Sequence, residues 1–267
     1  VFKKCDLLYD RTDGKIFVSA KNNTNIELLK DKIAKVVNAQ KSDKRLCGDL
    51  VNKNDFVVLV IPIDSAAPKG RIILPQQQVI RDLLDSGAIP VCVRESELAD
   101  TLKNLGTKPK LVITDSQVFK PVSEIVPNDI KLTSFSILMA RYKGFLKTAV
   151  NGARAIESLN DGDKILISEG CTHHRQCDDI GTVKLPRLVK NYTGKNFEIV
   201  TSSGKGFPNN LSEFSLAIHC GACMLNSREI ISRMNRSIES GVPFTNYGIA
   251  IAYMRGILDR SIEMFDE

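Results

Sequence analysis

Several classes of protein are excluded by what this chain lacks. Residues 1–30 hold no charged leader followed by an apolar run, and the longest uncharged apolar stretches, such as 56–63, are far too short to span a bilayer. A soluble, cytoplasmic protein is expected. Seven cysteines are an odd number, spread over a long chain without a secretion signal, which argues against a disulfide framework and for thiols that are reduced or bound to metal. The basic side chains are distributed along helix faces, as at Lys30, Lys32 and Lys35, without the aromatic interleaving of a single-strand binder. The formal net charge of +6 therefore reads as solvated surface, and neither nucleic acid nor membrane is an expected partner. There is no internal repeat and no low-complexity tract.

Phosphate-binding loops are missing too. No G-x-x-x-x-G-K-[ST] occurs, and Ser203-Gly204-Lys205-Gly206 has neither the spacing nor the following hydroxyl needed to cradle phosphates and hold magnesium. The chain is not expected to hydrolyse GTP, or to be an enzyme by itself. Asn52-Lys53-Asn54-Asp55 imitates a guanine-reading N-K-x-D motif but precedes a strand where it should follow one, so it is read as a decoy.

What is present is an ordinary globular composition, 43% hydrophobic and 25% charged, in 267 residues, a length that suggests two domains. A short strand over 15–19 and an amphipathic helix over 25–37 open the pattern, with Thr24 and Glu27 spaced as a capping box. From 46 to 134, apolar runs (56–63, 89–93, 111–114, 131–135) alternate with helical segments (75–86, 96–105, 117–126), which indicates a parallel sheet covered on both faces. This region has no histidine, and Cys92 reads as a small buried hydrophobe, with Cys5 and Cys47 equally uninformative. A spacer or oligomerisation module fits it, with an edge strand able to pair with a second copy. Residues 135–267 read as a long helix over 136–159, strands over 164–168, 197–201 and 215–218, and helices over 185–192, from Asn226 to about 241, and over 247–264. The fold class is α/β, as two consecutive domains with mainly parallel sheets.

Chemistry concentrates in the last part. All three histidines and four of the seven cysteines lie between Cys171 and Cys223, 53 of 267 residues, and three histidines placed at random would do so roughly one time in a hundred. Cys171 follows one strand closely, and Cys220 and Cys223 follow another. Parallel strands end at one sheet edge, so the three sulfurs are expected to converge there. His173 and His219 are candidate ligands or hydrogen-bond donors to the site. His174, Cys177, Glu169, Asp178 and Asp179 are neighbours with ordinary capping or surface roles, although an open metal position could take a carboxylate. Spacing leaves three readings: a 4Fe-4S cluster on three thiolates with one iron open, a structural zinc in a regulatory module, or a cysteine nucleophile beside a histidine.

Two resemblances bear on the choice. The strand, Ser19-Ala20-Lys21 and the following helix resemble the last strand and helix of a Ras-like GTPase, with Asn22, Asn23 and Thr24 where family members often have glycine. The pair C-x-H and H-C-x-x-C, at Cys171, His173, His219, Cys220 and Cys223, resembles the signature of HydF, the maturation scaffold family of FeFe-hydrogenases. That resemblance implies a GTPase remnant over 1–40, a dimerisation domain over 46–134 and an iron-sulfur domain over 135–267. It implies that Cys171, Cys220 and Cys223 hold a 4Fe-4S cluster, with His173 or His219 as exchangeable ligand or supporting donor. A di-iron subcluster precursor would be the cargo, received with the radical-SAM maturases HydE and HydG and handed to the FeFe-hydrogenase apoprotein. A homodimer or higher homo-oligomer is implied, and GTP and magnesium belong only to full-length family members.

Overall fold

A computed structural model describes residues 16–39, 44–63, 70, 72–170 and 179–265. Residues up to 44 form one unit and those from 45 onward another. In the first, Ser19 and Thr24 make an isolated antiparallel bridge. Its turn carries Asn23 and Asn25 at φ 53° and 55°, a left-handed conformation that asparagine tolerates better than most side chains. Helix α1 (Ile26–Ala39) follows. Among residues 16–19 only isolated bridges stand where a strand was expected. The capping box also fails to form as expected: the Thr24 backbone is spent on Ser19, and Glu27 pairs with Lys30 at 2.6 Å on the exposed helix face.

The second unit holds two four-stranded, all-parallel sheets with interleaved helices, an α/β architecture. In the first lobe β1 (Phe56–Val60), β2 (Ile89–Val93), β3 (Leu111–Thr114) and β4 (Lys131–Ser134) lie in the order β2-β1-β3-β4, with Leu59 in register with Cys92 on one side and Ile113 on the other. Helices α2 (Leu74–Asp85), α3 (Leu98–Asn104) and α4 (Phe119–Ile125) make the connections. Runs such as Phe-Val-Val-Leu-Val suit this position, because a strand covered on both faces has no polar side to show. Cys92 is exposed, contrary to the expectation of burial, because β2 is an edge strand, paired on one side with β1.

The region expected as one helix over 136–159 is two. Helix α5 (Phe135–Lys143) is capped by the Ser134 hydroxyl, which accepts from the Ile137 N–H, and ends at Gly144, whose φ of 86° turns the chain into α6 (Leu146–Arg154). The second lobe follows with β5 (Lys164–Glu169), α7 (Leu185–Thr193), β6 (Glu198–Ser203), β7 (Leu216–His219), α8 (Ser227–Glu239) and β8 (Phe244–Asn246). Between β6 and β7 no helix forms, and Phe207, Leu211 and Phe214 fill the core instead. Strand β8 has only three residues, too few for a period-two pattern to show in the sequence. The closing helix breaks at Gly256 into α9 (Tyr247–Met254) and α10 (Leu258–Ile262). The second sheet runs β6-β5-β7-β8, the same order as the first when each lobe's strands are counted from one.

The two lobes interlock at their boundary. Helix α6, which opens the second lobe, packs on β8 of that lobe, while α10 leaves the second lobe and packs on β4 of the first. Gly152 of α6 lies so close to β8 that a Cβ there would be 2.1 Å from the Phe244 carbonyl oxygen. Arg260 of α10 donates to the carbonyls of Ser123, Val126 and Pro127 at 3.1, 2.9 and 2.7 Å, neutralising the C-terminal end of α4. Gly248 of α9 fits against Ser136 and Ser116, where a Cβ would come within 2.3 Å of the Ser136 Cβ. One hydrophobic core consequently runs through both lobes, from Val58 and Phe119 to Phe145, Leu166 and Phe244.

Candidate functional site

Strand β5 lies between β6 and β7, so the chain moves outward to β6 and then returns past β5 to β7. The carboxyl edge between β5 and β7 is therefore the topological switch point of the second sheet, where open α/β folds bind ligands. Ser168 of β5 is in register with His219 of β7, and the Cys220 N–H extends the ladder to the Ser168 carbonyl at 2.8 Å. This pairing fixes where the Cys220-Gly221-Ala222-Cys223 loop begins. Cys220 and Cys223 are both half-buried, neither is in a disulfide, and the Gly170 N–H donates to the Cys220 sulfur at 3.1 Å. Such a bond favours the thiolate and requires a close approach, since a Cβ on Gly170 would come within 2.8 Å of Leu225. Ala222 takes φ 54°, and the Leu225 N–H closes the loop onto the Ala222 carbonyl at 3.1 Å. Asn226 then caps α8 by accepting from the Glu229 N–H, as the sequence spacing predicts.

His219 is fully buried. Its Nδ1 lies 2.9 Å from the Cys220 carbonyl and its Nε2 lies 3.1 Å from an Arg233 nitrogen. A guanidinium can only donate, so Nε2 accepts and the proton sits on Nδ1, where it is given to the carbonyl. Burial, with Arg233 and Lys143 nearby, lowers the imidazole pKa to about 4 against the opposing pull of the Cys220 carbonyl, and the ring is neutral at pH 7. Arg233, itself buried, is held by Glu229 at 2.8 Å and the Gly204 carbonyl at 2.6 Å and lies over the Phe207 ring. Thus α8 supports β7's last residue, and that residue supports the loop.

On the loop's other side is Lys143, the last residue of α5, only 6% exposed. Its ammonium donates to the Ala222 and Leu225 carbonyls. Glu169 is buried at the end of β5, and its carbonyl accepts from Gly204 at 3.0 Å. Asp179 caps the following turn, accepting from the Gly181 and Thr182 N–H groups at 2.9 Å each. Cys171, His173, His174, Cys177 and Asp178 lie outside the described residues. Among the described residues no three His, Cys, Asp or Glu side chains group as a metal site. Of the expected ligand set, Cys220 and Cys223 come together on one loop at the edge where Gly170 ends the described part of the β5 side, one residue before Cys171 in sequence.

Sequence reasoning did not single out Lys143 or Arg233. Arg233 stands four residues after Glu229 on α8, a spacing that marks an ion pair but not its histidine partner. Cys47, expected to be uninformative, is fully buried beside Asp82, and burial followed by that carboxylate pushes its thiol far up, so it stays protonated.

These features define a class: a two-lobed parallel α/β protein with a thiol pair at the ligand-binding edge of its second sheet. Residues 46–144 match the family model for the hydrogen maturase F dimerization domain, and residues 147–264 match the model for the hydrogen maturase F tetramerization domain. The chain belongs to the hydrogen maturase F (HydF) family. Its domains indicate a role in hydrogenase maturation and a homo-oligomeric state. No curated protein matches. A solved 5,10-methylenetetrahydrofolate dehydrogenase from the silkworm, Bombyx mori, aligns over 89% of this chain and 92% of its own at 12% identity, with a TM-score of 0.23. No described helix is long and apolar enough to cross a membrane.

Proposed function

We propose that this chain is the carrier portion of a hydrogenase maturation scaffold, binding a 4Fe-4S cluster through Cys171, Cys220 and Cys223. The observation that carries this reading is the placement of Cys220 and Cys223 at the β5/β7 switch point, with the Gly170 N–H on the Cys220 sulfur at 3.1 Å. The donor set suits iron: two half-buried thiols on one short loop, an N–H aimed at sulfur and a buried cation nearby. Three protein thiolates leave one corner of such a cluster for an exchangeable group, and that corner is what a carrier needs. His219 has both ring nitrogens engaged within the protein, so its part is to hold the loop, and His173 is the histidine we assign to the exchangeable position.

The cargo is a di-iron subcluster precursor, accepted with the help of HydE and HydG and passed to the FeFe-hydrogenase apoprotein. The chain works in the cytoplasm as a domain array, with a GTPase remnant before residue 40, dimerisation in the middle and the cluster in the last part. No turnover is assigned to it, and GTP binding is left to a complete GTPase domain. Delivery is tested by incubating cluster-loaded, cargo-charged protein with apo-hydrogenase under argon and measuring hydrogen evolution. Activity that rises with the charged protein, and is lost when Cys223→Ser protein is used, is the expected result. Equal activation by the substituted protein would remove the carrier reading.

A further inference from the structure

We propose that Lys143 is a positioning residue for the thiol loop: from the first lobe it ties down the Cys220–Cys223 backbone and sets a fixed positive charge beside the two sulfurs. The side chain is almost wholly removed from water, yet among the described residues its ammonium bonds two main-chain carbonyls, those of Ala222 and Leu225. A buried cation without a carboxylate is costly unless something nearby supplies negative charge. Carbonyl dipoles supply part of it. The two bonded carbonyls flank Cys223 in the chain, so thiolates held on this loop would supply the rest. The position therefore suits a site that is anionic when filled, as thiolate-held metal is.

The bonds also act on geometry. Ala222 is a non-glycine residue at φ 54°, in a conformation that needs outside support to persist. Lys143 grips the carbonyl of that residue and of Leu225, while His219 grips that of Cys220. Three carbonyls of the loop, those of Cys220, Ala222 and Leu225, are thereby held by side chains. Residue 143 lies within the stretch matching the dimerization domain and the loop within the stretch matching the tetramerization domain, so Lys143 couples the two. The charge half of this inference rests on the cluster reading above, and the anchoring half does not.

The test uses the full chain with Lys143→Met, which removes charge and bonds, and Lys143→Gln, which keeps donors but no charge. Hydrogen exchange on peptides covering 219–226 of metal-free protein is expected to speed up about tenfold in Lys143→Met and less in Lys143→Gln. After anaerobic loading with iron and sulfide, both variants are expected to show a reduction potential more negative than the parent, because a positive charge that favours electron uptake is gone. Exchange within error of the parent in Lys143→Met overturns the anchoring role, and an unchanged potential overturns the charge role. If Lys143→Met does not fold, Lys143→Gln decides both points by the same readings. Failure of the parent to take up iron would count against the proposed function, while the exchange measurement would still decide the anchor.

Discussion

Among single residues, His219 makes the sharpest claim. Its folded pKa of about 4, depressed chiefly by burial, lies below the unfolded value near 6.5. The unfolded chain therefore binds more protons than the folded one between those values, and stability rises with pH across that window. Stability is full above about pH 6.5 and falls by about 3 kcal/mol as the pH drops to 4. Urea unfolding of metal-free protein from pH 7.5 to 4 should show this slope, reduced in His219→Gln, and an equal slope in both proteins would contradict a buried neutral imidazole. The meeting of Cys220, Cys223 and His219 at one strand end was legible because rare side chains cluster there in the sequence. Lys143 and Arg233 were not, because what they hold is main chain or a neutral ring: Lys143 reaches carbonyls 79 and 82 positions away, and no side-chain pattern records such a bond.

At the level of elements, apolar runs predicted β1 and β3 closely, since buried parallel strands leave continuous Val, Ile and Leu, and β2 was found at the edge by its Ile and Val residues. The misses were places where packing overrode local pattern. Helix periodicity continues smoothly across Gly144 and Gly256, but the chain turns at both, at Gly144 so that α6 can pack on β8 and at Gly256 so that α10 can reach β4 of the first lobe. Strand β8 was invisible because three residues, Phe244-Thr245-Asn246, form it only in the presence of β7 and α6. That dependence makes Gly152 critical, with the Phe244 carbonyl oxygen 2.1 Å from where a Cβ would stand. Gly152→Ala gains helix propensity but must push α6 off β8, and the expected net loss is about 1–3 kcal/mol. A thermal melt at or above that of the parent would show that the α6–β8 contact is looser than described.

Across the whole molecule, two lobes with one strand order are joined by α10, which crosses to β4, and by a core that runs through both, although the sequence contains no repeat. Strand order depends on hydrophobic pattern and connection lengths, which many unrelated sequences satisfy, so the likeness is visible only in three dimensions. The junction has a functional consequence: the thiol loop is supported from α5 on one side and from α8 on the other, so its geometry depends on both lobes being assembled. The same topology brings the ends of β5 and β7 together across about fifty residues of sequence, and the carrier account depends on that convergence. The most direct test is the iron and acid-labile sulfide content of anaerobically reconstituted protein, with its electron paramagnetic resonance spectrum, beside Cys171→Ser, Cys220→Ser and Cys223→Ser. The account predicts about four iron and four sulfide per chain and a cluster signal in the parent, with marked loss in each substituted protein. A colourless protein holding one zinc, or full iron retained without Cys171, would contradict it.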